Sequence, residues 1–151
     1  MPSPSTPTIP EALDRYLLTS SEGNTISIAT YLERGSLLIT PDAIRALRSL
    51  LPALRSKIAL IKDADSLKKR IQILLAYFDE TPVARSGPDA AQRDIAFALF
   101  YFLKGYNRIP DSIPEIGLLD DAIIVNAVLQ WHETALRTHW LKRGRPWPAL
   151  N

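Results

Sequence analysis

Nine consecutive apolar residues, Ile95 to Leu103, constrain the fold more than any other stretch of the chain. They follow Pro88, a residue that is common in the first turn of a helix. A helix that is apolar on every side has to be covered by other parts of the protein. A membrane-spanning helix needs about 20 apolar residues, so this run is too short to cross a bilayer. The sequence therefore predicts a central, buried helix over residues 89–104.

A second helical pattern begins at Thr40-Pro41-Asp42, where a capping hydroxyl, a proline and an acid follow one another. Apolar residues then recur every three or four positions, which makes one stripe along a helix. Pro52 interrupts the pattern and is expected to kink the helix near Arg48, because proline cannot donate a backbone hydrogen bond. The stripe comprises positions 44, 47, 51, 54, 58 and 61.

Weaker helical patterns precede and follow these two. The last helix is expected to begin near Leu118 and to run to about Lys142, where Gly144 and Pro146 stop it. No convincing pair of strands is present. The predicted fold is therefore all-α: a compact bundle of five or six helices, in which residues 89–104 and 118–142 form a central apolar hairpin.

The length of 151 residues, with 46% hydrophobic residues, suits one globular domain. We expect a disordered N-terminal tail over residues 1–8, a single helical domain over 9–143 and a basic aromatic C-terminal tail over 144–151. The chain has no cysteine, which excludes disulfides and cysteine nucleophiles and fits a reducing compartment. The first ten residues lack the basic start and apolar core of a signal peptide. A cytoplasmic protein, or one peripheral to a membrane, is expected.

A proline-rich segment separates the two helices of the predicted hairpin. Ile109 and Ile113 each precede a proline, which favours extended backbone. Residues 106–117 are therefore predicted to form a rigid, non-helical corner. The residues assigned to this corner and its flanks are Lys104, Asn107, Arg108, Pro110, Asp111, Pro114, Gly117, Asp120 and Asp121.

The run IPDSIPEIGLLDDAI, led by YFLKGYN, resembles the signature of the YkvA-like bacterial family of unknown function, over about residues 95–130. The matching positions are Ile109, Pro110, Asp111, Ile113, Pro114, Gly117, Asp120 and Asp121. Asn107 stands where the family usually has an aspartate. The resemblance implies a small helical module, with membrane-associated relatives, and implies no activity, cofactor or catalytic residue.

Three carboxylates of this segment, Asp111, Asp120 and Asp121, are open to several interpretations. They could cap and brace the corner with Lys104 and Arg108 as counter-charges. They could instead hold a divalent metal, since oxygen ligands suit Mg²⁺ or Ca²⁺. A surface that docks a partner is the third alternative.

Basic residues are concentrated in two parts of the chain. They suit an anionic partner, such as a lipid surface or nucleic acid, but they also suit a solvated helix face. Trp131, Trp140 and Trp147 lie near the second group and could pack the end of the bundle, contact lipid or stack on bases. The residues assigned to contact with an anionic partner are Arg45, Arg48, Arg55, Arg137, Lys142, Arg143, Arg145 and Trp147.

His132 and His139 lie two helical turns apart, roughly 10 Å, which is too far for both to bind one metal. They are predicted to be core or partly buried residues. Because no complete catalytic constellation is present, the leading hypothesis is a non-catalytic interaction or scaffold module without a cofactor. Its partner would be an unknown protein or an anionic membrane surface. A metal-dependent enzyme or regulator using the aspartates, and a nucleic-acid-binding helical protein, are the alternatives.

Overall fold

The computed structural model describes residues 9–19, 28–105 and 114–149, and these ranges confirm the all-α fold. An isolated β-bridge, Ala84 to Gly87, interrupts the loop between two of the helices. Eight helices lie in the described ranges, more than the five or six predicted. They are α1 (Glu11–Thr19), α2 (Ile28–Ser36), α3 (Pro41–Ser49), α4 (Leu51–Ala59), α5 (Asp65–Glu80), α6 (Ala90–Gly105), α7 (Pro114–Trp131) and α8 (Glu133–Lys142).

Two predicted long helices are each divided in the structure, which accounts for much of the difference in number. The helix that begins at Pro41 ends at Ser49, and α4 restarts at Leu51 with a proline in its first turn. Pro52 thus produces a break at Leu50 where only a kink was predicted. The predicted helix over 118–142 is interrupted at His132, which has φ −120° and ψ 21°. α7 and α8 are consequently separate helices.

Helix α6 is the centre of the bundle, as its sequence predicts. Residues 95–100 and Phe102 are almost completely buried, whereas Tyr101 and Leu103 are half-buried. The helix packs against α1, α2, α3, α4, α5 and α7. Burying a large apolar side chain stabilises a fold by about 1.5–3 kcal/mol. The α6–α7 pair forms the predicted central hairpin, with Ile124, Val125, Val128 and Leu129 on the buried side of α7.

The predicted non-helical corner is wrong in its last part. α7 begins at Pro114, so residues 114–117 are helical, and the helix starts four positions before Leu118. Proline suits the first helical position because its missing N–H would have no intrahelical partner there. Residues 106–113 lie outside the described ranges. Among the described residues, Lys57 fixes the end of α6. Its Nζ donates hydrogen bonds to the carbonyl oxygens of Phe102 and, at 3.0 Å, Leu103.

Candidate functional site

A groove of about 580 Å³ lies between the C-terminal end of α5 and the outer side of α7 and α8. We call it the α5–α8 groove. Its volume is within the range of natural ligand sites. It is open to solvent and combines aromatic, hydroxyl, imidazole and ammonium groups. The lining residues are Tyr77, Thr81, Trp131, His132, Thr134, Ala135, Thr138, His139 and Lys142.

His132 is held at the junction of α7 and α8 by Asp94 of α6. Its Nε2 lies 2.7 Å from Asp94 Oδ2, and the two side chains are only 17% and 14% exposed. The pair therefore fixes the orientation of the imidazole ring and ties the helix break to α6. No hydrogen-bond partner for Nδ1 of His132 is present in the described part of the chain.

His139 is held in a similar way by Glu80, the last residue of α5. Its Nε2 lies 2.9 Å from Glu80 Oε1, while Arg145 Nη2 lies 2.6 Å from Glu80 Oε2. Burial by itself would raise the pKa of Glu80. Hydrogen bonds from Arg145 and His139, and the charges of Arg145 and Arg143, outweigh burial and lower the pKa below its usual value. Glu80 is therefore an ionised acceptor, and His139 donates through Nε2.

The Tyr77 ring completes this wall of the groove. It meets the His139 ring edge-on, with the ring centroids 5.3 Å apart. Burial raises the pKa of the Tyr77 hydroxyl, and the negative charge of Asp89 raises it further. The phenol therefore stays neutral at physiological pH. Tyr77 offers the groove an aromatic surface and carries no charge there.

The loop at the edge of the groove is fastened by a capping box at the start of α6. The backbone N–H of Gln92 donates to Asp89 Oδ1 at 2.8 Å, and the N–H of Asp89 donates to Gln92 Oε1 at 3.0 Å. Gln92 is buried, and its Nε2 also donates to the Pro82 carbonyl at 2.9 Å. These bonds satisfy first-turn donors that helices leave unpaired. Gln92 Nε2 also lies 3.4 Å from Thr81 Oγ1, which links Thr81 to the start of α6.

The two ends of the groove differ in chemistry. Trp131 is 44% exposed although it is a large aromatic residue. Lys142 is exposed, and no carboxylate within the described ranges forms an ion pair with it. Thr134, Thr138 and Lys142 recur at steps of four, so they share one face of α8. The groove thus has an apolar end and a cationic end, with hydroxyl groups between them.

The predicted corner residues cannot be placed as a site. Asn107, Arg108, Pro110 and Asp111 lie outside the described ranges. Lys104, Pro114, Gly117, Asp120 and Asp121 lie on α6 or α7, but the structure describes none of their side chains. No group of three His, Asp or Glu residues that could hold a metal occurs in the part of the chain that is described. The aspartate metal site remains a prediction.

The three basic residues predicted on the α3–α4 segment all have partners inside the protein. Arg45 is paired with Asp42, and Arg55 Nη2 lies 3.0 Å from Asp79 Oδ2. Arg48 donates to the Thr81 carbonyl at 3.2 Å and lies over the Phe78 ring. Each of these three cations therefore has a carboxylate or carbonyl oxygen beside it. Such pairing weakens the positive field that a polyanion would experience.

All but one of the predicted C-terminal basic residues also have partners inside the protein. Arg143 and Arg145 contact Glu80, and Arg137 lies 3.8 Å from Glu133 and over the Trp147 ring. Trp140 Nε1 donates to the Pro146 carbonyl at 2.9 Å. Residues 144–149 therefore fold back against α8 and the end of α5. Of the predicted anionic-partner residues, Lys142 alone has no described ion pair, hydrogen bond or ring contact.

Sequence reasoning missed the importance of both histidines. They are partly buried, as predicted, but their carboxylate partners are 38 and 59 positions away in the sequence. Helical periodicity reports neighbours three and four positions apart, and gives no information about contacts at such separations. The acids at the start of α6 and the end of α5 were the only traces of these pairs in the sequence.

Residues 95–127 match the model of a family described as "Protein of unknown function (DUF1232)". The match covers most of α6 and α7, the segment in which the sequence resembles a family of unknown function. No curated protein and no solved structure matches the chain. In the described ranges, no helix is both long and apolar enough to span a bilayer. The matched segment supplies most of the central hairpin, whereas the residues that line the groove lie outside it.

Proposed function

We propose that the protein is a non-catalytic interaction module whose α5–α8 groove binds an acidic segment of a partner protein. One observation carries the proposal: an exposed tryptophan lies at one end of the groove, and at the other lies an ammonium group that has no carboxylate partner among the described residues. Trp131 would contact an apolar side chain, and Lys142 would pair with a carboxylate.

The charges around the groove favour an anion at its Lys142 end. Glu80 already accepts contacts from three nitrogen-bearing side chains, His139, Arg143 and Arg145, two of which are guanidinium cations. A bound acid would therefore lie in a region of locally positive charge. An exposed ion pair contributes only about 0.2–1 kcal/mol. Most of the affinity must come from the apolar contact with Trp131, since aromatic anchors commonly dominate binding energy.

The length of the groove limits the partner. Lys142 is the last residue of α8 and Trp131 lies just before the first, so the two are separated by about the length of this ten-residue helix, about 15 Å. An extended segment rises about 3.3 Å per residue, so it covers this distance in about five residues. The partner is therefore expected to carry an apolar residue and an acidic residue about five positions apart.

Selection of random octapeptides displayed on phage tests this proposal. Enriched peptides should carry the apolar-to-acidic spacing and should bind the purified protein with saturation in fluorescence anisotropy. Trp131→Ala is expected to weaken binding about tenfold, equivalent to 1.4 kcal/mol, and Lys142→Gln by up to about fivefold, as for an exposed ion pair. Leu60→Ala and Lys62→Gln are matched controls, because Leu60 and Lys62 are exposed and do not line the groove.

Three results would contradict the proposal. The first is the enrichment of peptides without an acid. The second is peptide binding that is indifferent to both groove substitutions. The third is the absence of peptide binding together with flotation on anionic vesicles that Trp131→Ala abolishes. In that case the groove would be a membrane contact, and the effect should be greatest at low salt.

A further inference from the structure

A second cavity lies between α4 and α5, and we propose that it binds a small amphiphilic anion: a carboxylate or phosphate group on a short alkyl chain. This α4–α5 cavity has a volume of about 330 Å³, at the lower end of the range for ligand sites. It is lined by Arg55, Ile58, Ala59, Lys68, Gln72 and Leu75. The inference does not depend on the α5–α8 groove.

Nitrogen-bearing side chains from both helices supply the chemistry for an anionic head group. Lys68 and Gln72 are four positions apart on α5 and therefore lie on the same face of that helix. Arg55 reaches the cavity from α4. A guanidinium group can donate two parallel hydrogen bonds to a carboxylate or phosphate, and an ammonium group adds a point charge. Lys68 is half-buried and has no acidic partner among the described residues.

The remaining wall of the cavity is apolar. Ile58 is 3% exposed and Leu75 is 8% exposed, so both belong to the hydrophobic core that borders the cavity. Ala59 has a small side chain and leaves room beside them. A free inorganic anion would leave the exposed side chain of Ala59 in contact with water, whereas an alkyl chain would cover Ala59 and the small exposed parts of Ile58 and Leu75. Each methylene group buried there is expected to tighten binding about threefold.

Asp79 already forms an ion pair with one of the cations that line the cavity. Arg55 Nη2 lies 3.0 Å from Asp79 Oδ2, but these side chains are 53% and 40% exposed. Ion pairs in such exposed positions are weak, so a ligand can displace the carboxylate. Asp79 does not line the cavity. The Asp79 carboxylate therefore competes with the ligand for Arg55, and removal of its negative charge should strengthen ligand binding.

Titration of the 151-residue protein with butanoate, hexanoate, hexyl phosphate and inorganic phosphate, followed by heteronuclear NMR, tests the proposal. Hexanoate or hexyl phosphate should bind with saturation and shift the methyl signals of Ile58 and Leu75. Whichever binds more tightly identifies the head group. Butanoate should bind about tenfold more weakly than hexanoate, because two methylene groups are missing. Inorganic phosphate should bind more weakly than hexyl phosphate by at least about tenfold.

Three substitutions separate a charge-dependent site from a merely apolar cavity. Lys68→Gln should weaken binding about tenfold, as expected for loss of a partly buried ion pair. Lys69→Gln is the matched control and should have no effect, since Lys69 is exposed and does not line the cavity. Asp79→Asn should tighten binding severalfold.

Two results would overturn the proposal. In the first, uncharged hexanol binds as tightly as hexanoate. In the second, Lys68→Gln leaves the affinity unchanged while its circular dichroism spectrum matches that of the wild type. Lys68 is half-buried on a surface helix, so its substitution is not expected to prevent folding.

Discussion

Glu80 Oε1 lies 2.9 Å from His139 Nε2, a contact that joins the C-terminal end of α5 to α8 across 59 residues of sequence. A carboxylate at this end of a helix is opposed by the helix dipole. His139, Arg143 and Arg145 all contact Glu80 and offset this unfavourable interaction with the dipole. The same carboxylate therefore fixes one wall of the α5–α8 groove and holds the segment after α8 against the bundle.

Replacement of Glu80 by glutamine is expected to destabilise the protein by about 1–3 kcal/mol at neutral pH, because charged hydrogen bonds are lost. The pKa of Glu80 is lower in the folded state than its usual value of 4.5. Stability from the ionised group is therefore fully present above pH 4.5 and is lost as the pH falls through the lower, folded-state pKa. Urea unfolding of both proteins between pH 7 and pH 3 should show the difference shrinking on acidification.

Glu133→Gln provides the matched control for Glu80→Gln. Glu133 is 49% exposed, and its carboxylate lies 3.8 Å from Arg137 within one helix. Exposed pairs of this kind contribute about 0.3–0.5 kcal/mol. A cost for Glu80→Gln that is equally small, or that grows as the pH falls, would contradict the role assigned to Glu80.

Lys57→Met is expected to destabilise the end of α6. The ammonium group donates to the carbonyl oxygens of Phe102 and Leu103, which have no partner within the last turn of a helix. Methionine keeps a similar apolar length but cannot donate, so the expected loss is about 1–3 kcal/mol. Hydrogen exchange should accelerate first in the last turn of α6.

Lys62→Met is the control for the loss of a lysine charge, since Lys62 is exposed beyond the end of α4. It is expected to change the free energy of unfolding by no more than about 0.5 kcal/mol. Equal effects of the two substitutions would show that the α6 carbonyls do not depend on Lys57.

Gly35→Ala is expected to destabilise the packing of α2 on α6 by about 1–3 kcal/mol through overpacking. A methyl group at position 35 would overlap the ring of Phe97, which is completely buried. Phe97 cannot move freely, because its ring also meets Tyr31 at a centroid distance of 5.4 Å. The free energy of unfolding in urea measures the effect.

Shortening Phe97 provides the test of this mechanism. In a Phe97→Leu background, the additional cost of Gly35→Ala should be smaller, because leucine leaves more room for the new methyl group. A double-mutant cycle measures that coupling. Strictly additive effects would mean that the cost arises elsewhere in α2.

The parts of the fold that follow from local physics could be predicted from the sequence. A run without polar residues has to be buried, and Ile95 to Phe100 are buried in α6. The expected start of a helix at Thr40 is also present, since its Oγ1 accepts a hydrogen bond from the Ala43 N–H at 3.2 Å. Both inferences use interactions within a few residues of each other.

The features that depend on tertiary contacts could not be predicted in this way. Nothing local distinguishes a kink from the break at Leu50, or shows that His132 interrupts the last helix. The pattern of basic residues on α3 and α4 likewise does not show that Asp79 reaches Arg55 from α5. The α5–α8 groove and the α4–α5 cavity also lie between helices, and the sequence pattern does not show which helices pack together.

Asp63 is expected to tolerate glycine but not valine, because its backbone is left-handed with φ 60°. It lies in the turn between α4 and α5, so it helps to set how the walls of the α4–α5 cavity meet. A β-branched side chain is strongly disfavoured in this conformation, and Asp63→Val should cost about 1–2 kcal/mol. Asp63→Gly should stay within about 0.5 kcal/mol of the wild type, since relief of backbone strain offsets the greater freedom of the unfolded chain. Lys62→Val, at the neighbouring exposed position, is the control in urea unfolding. If valine costs the same at both positions, the left-handed backbone of Asp63 does not constrain this turn.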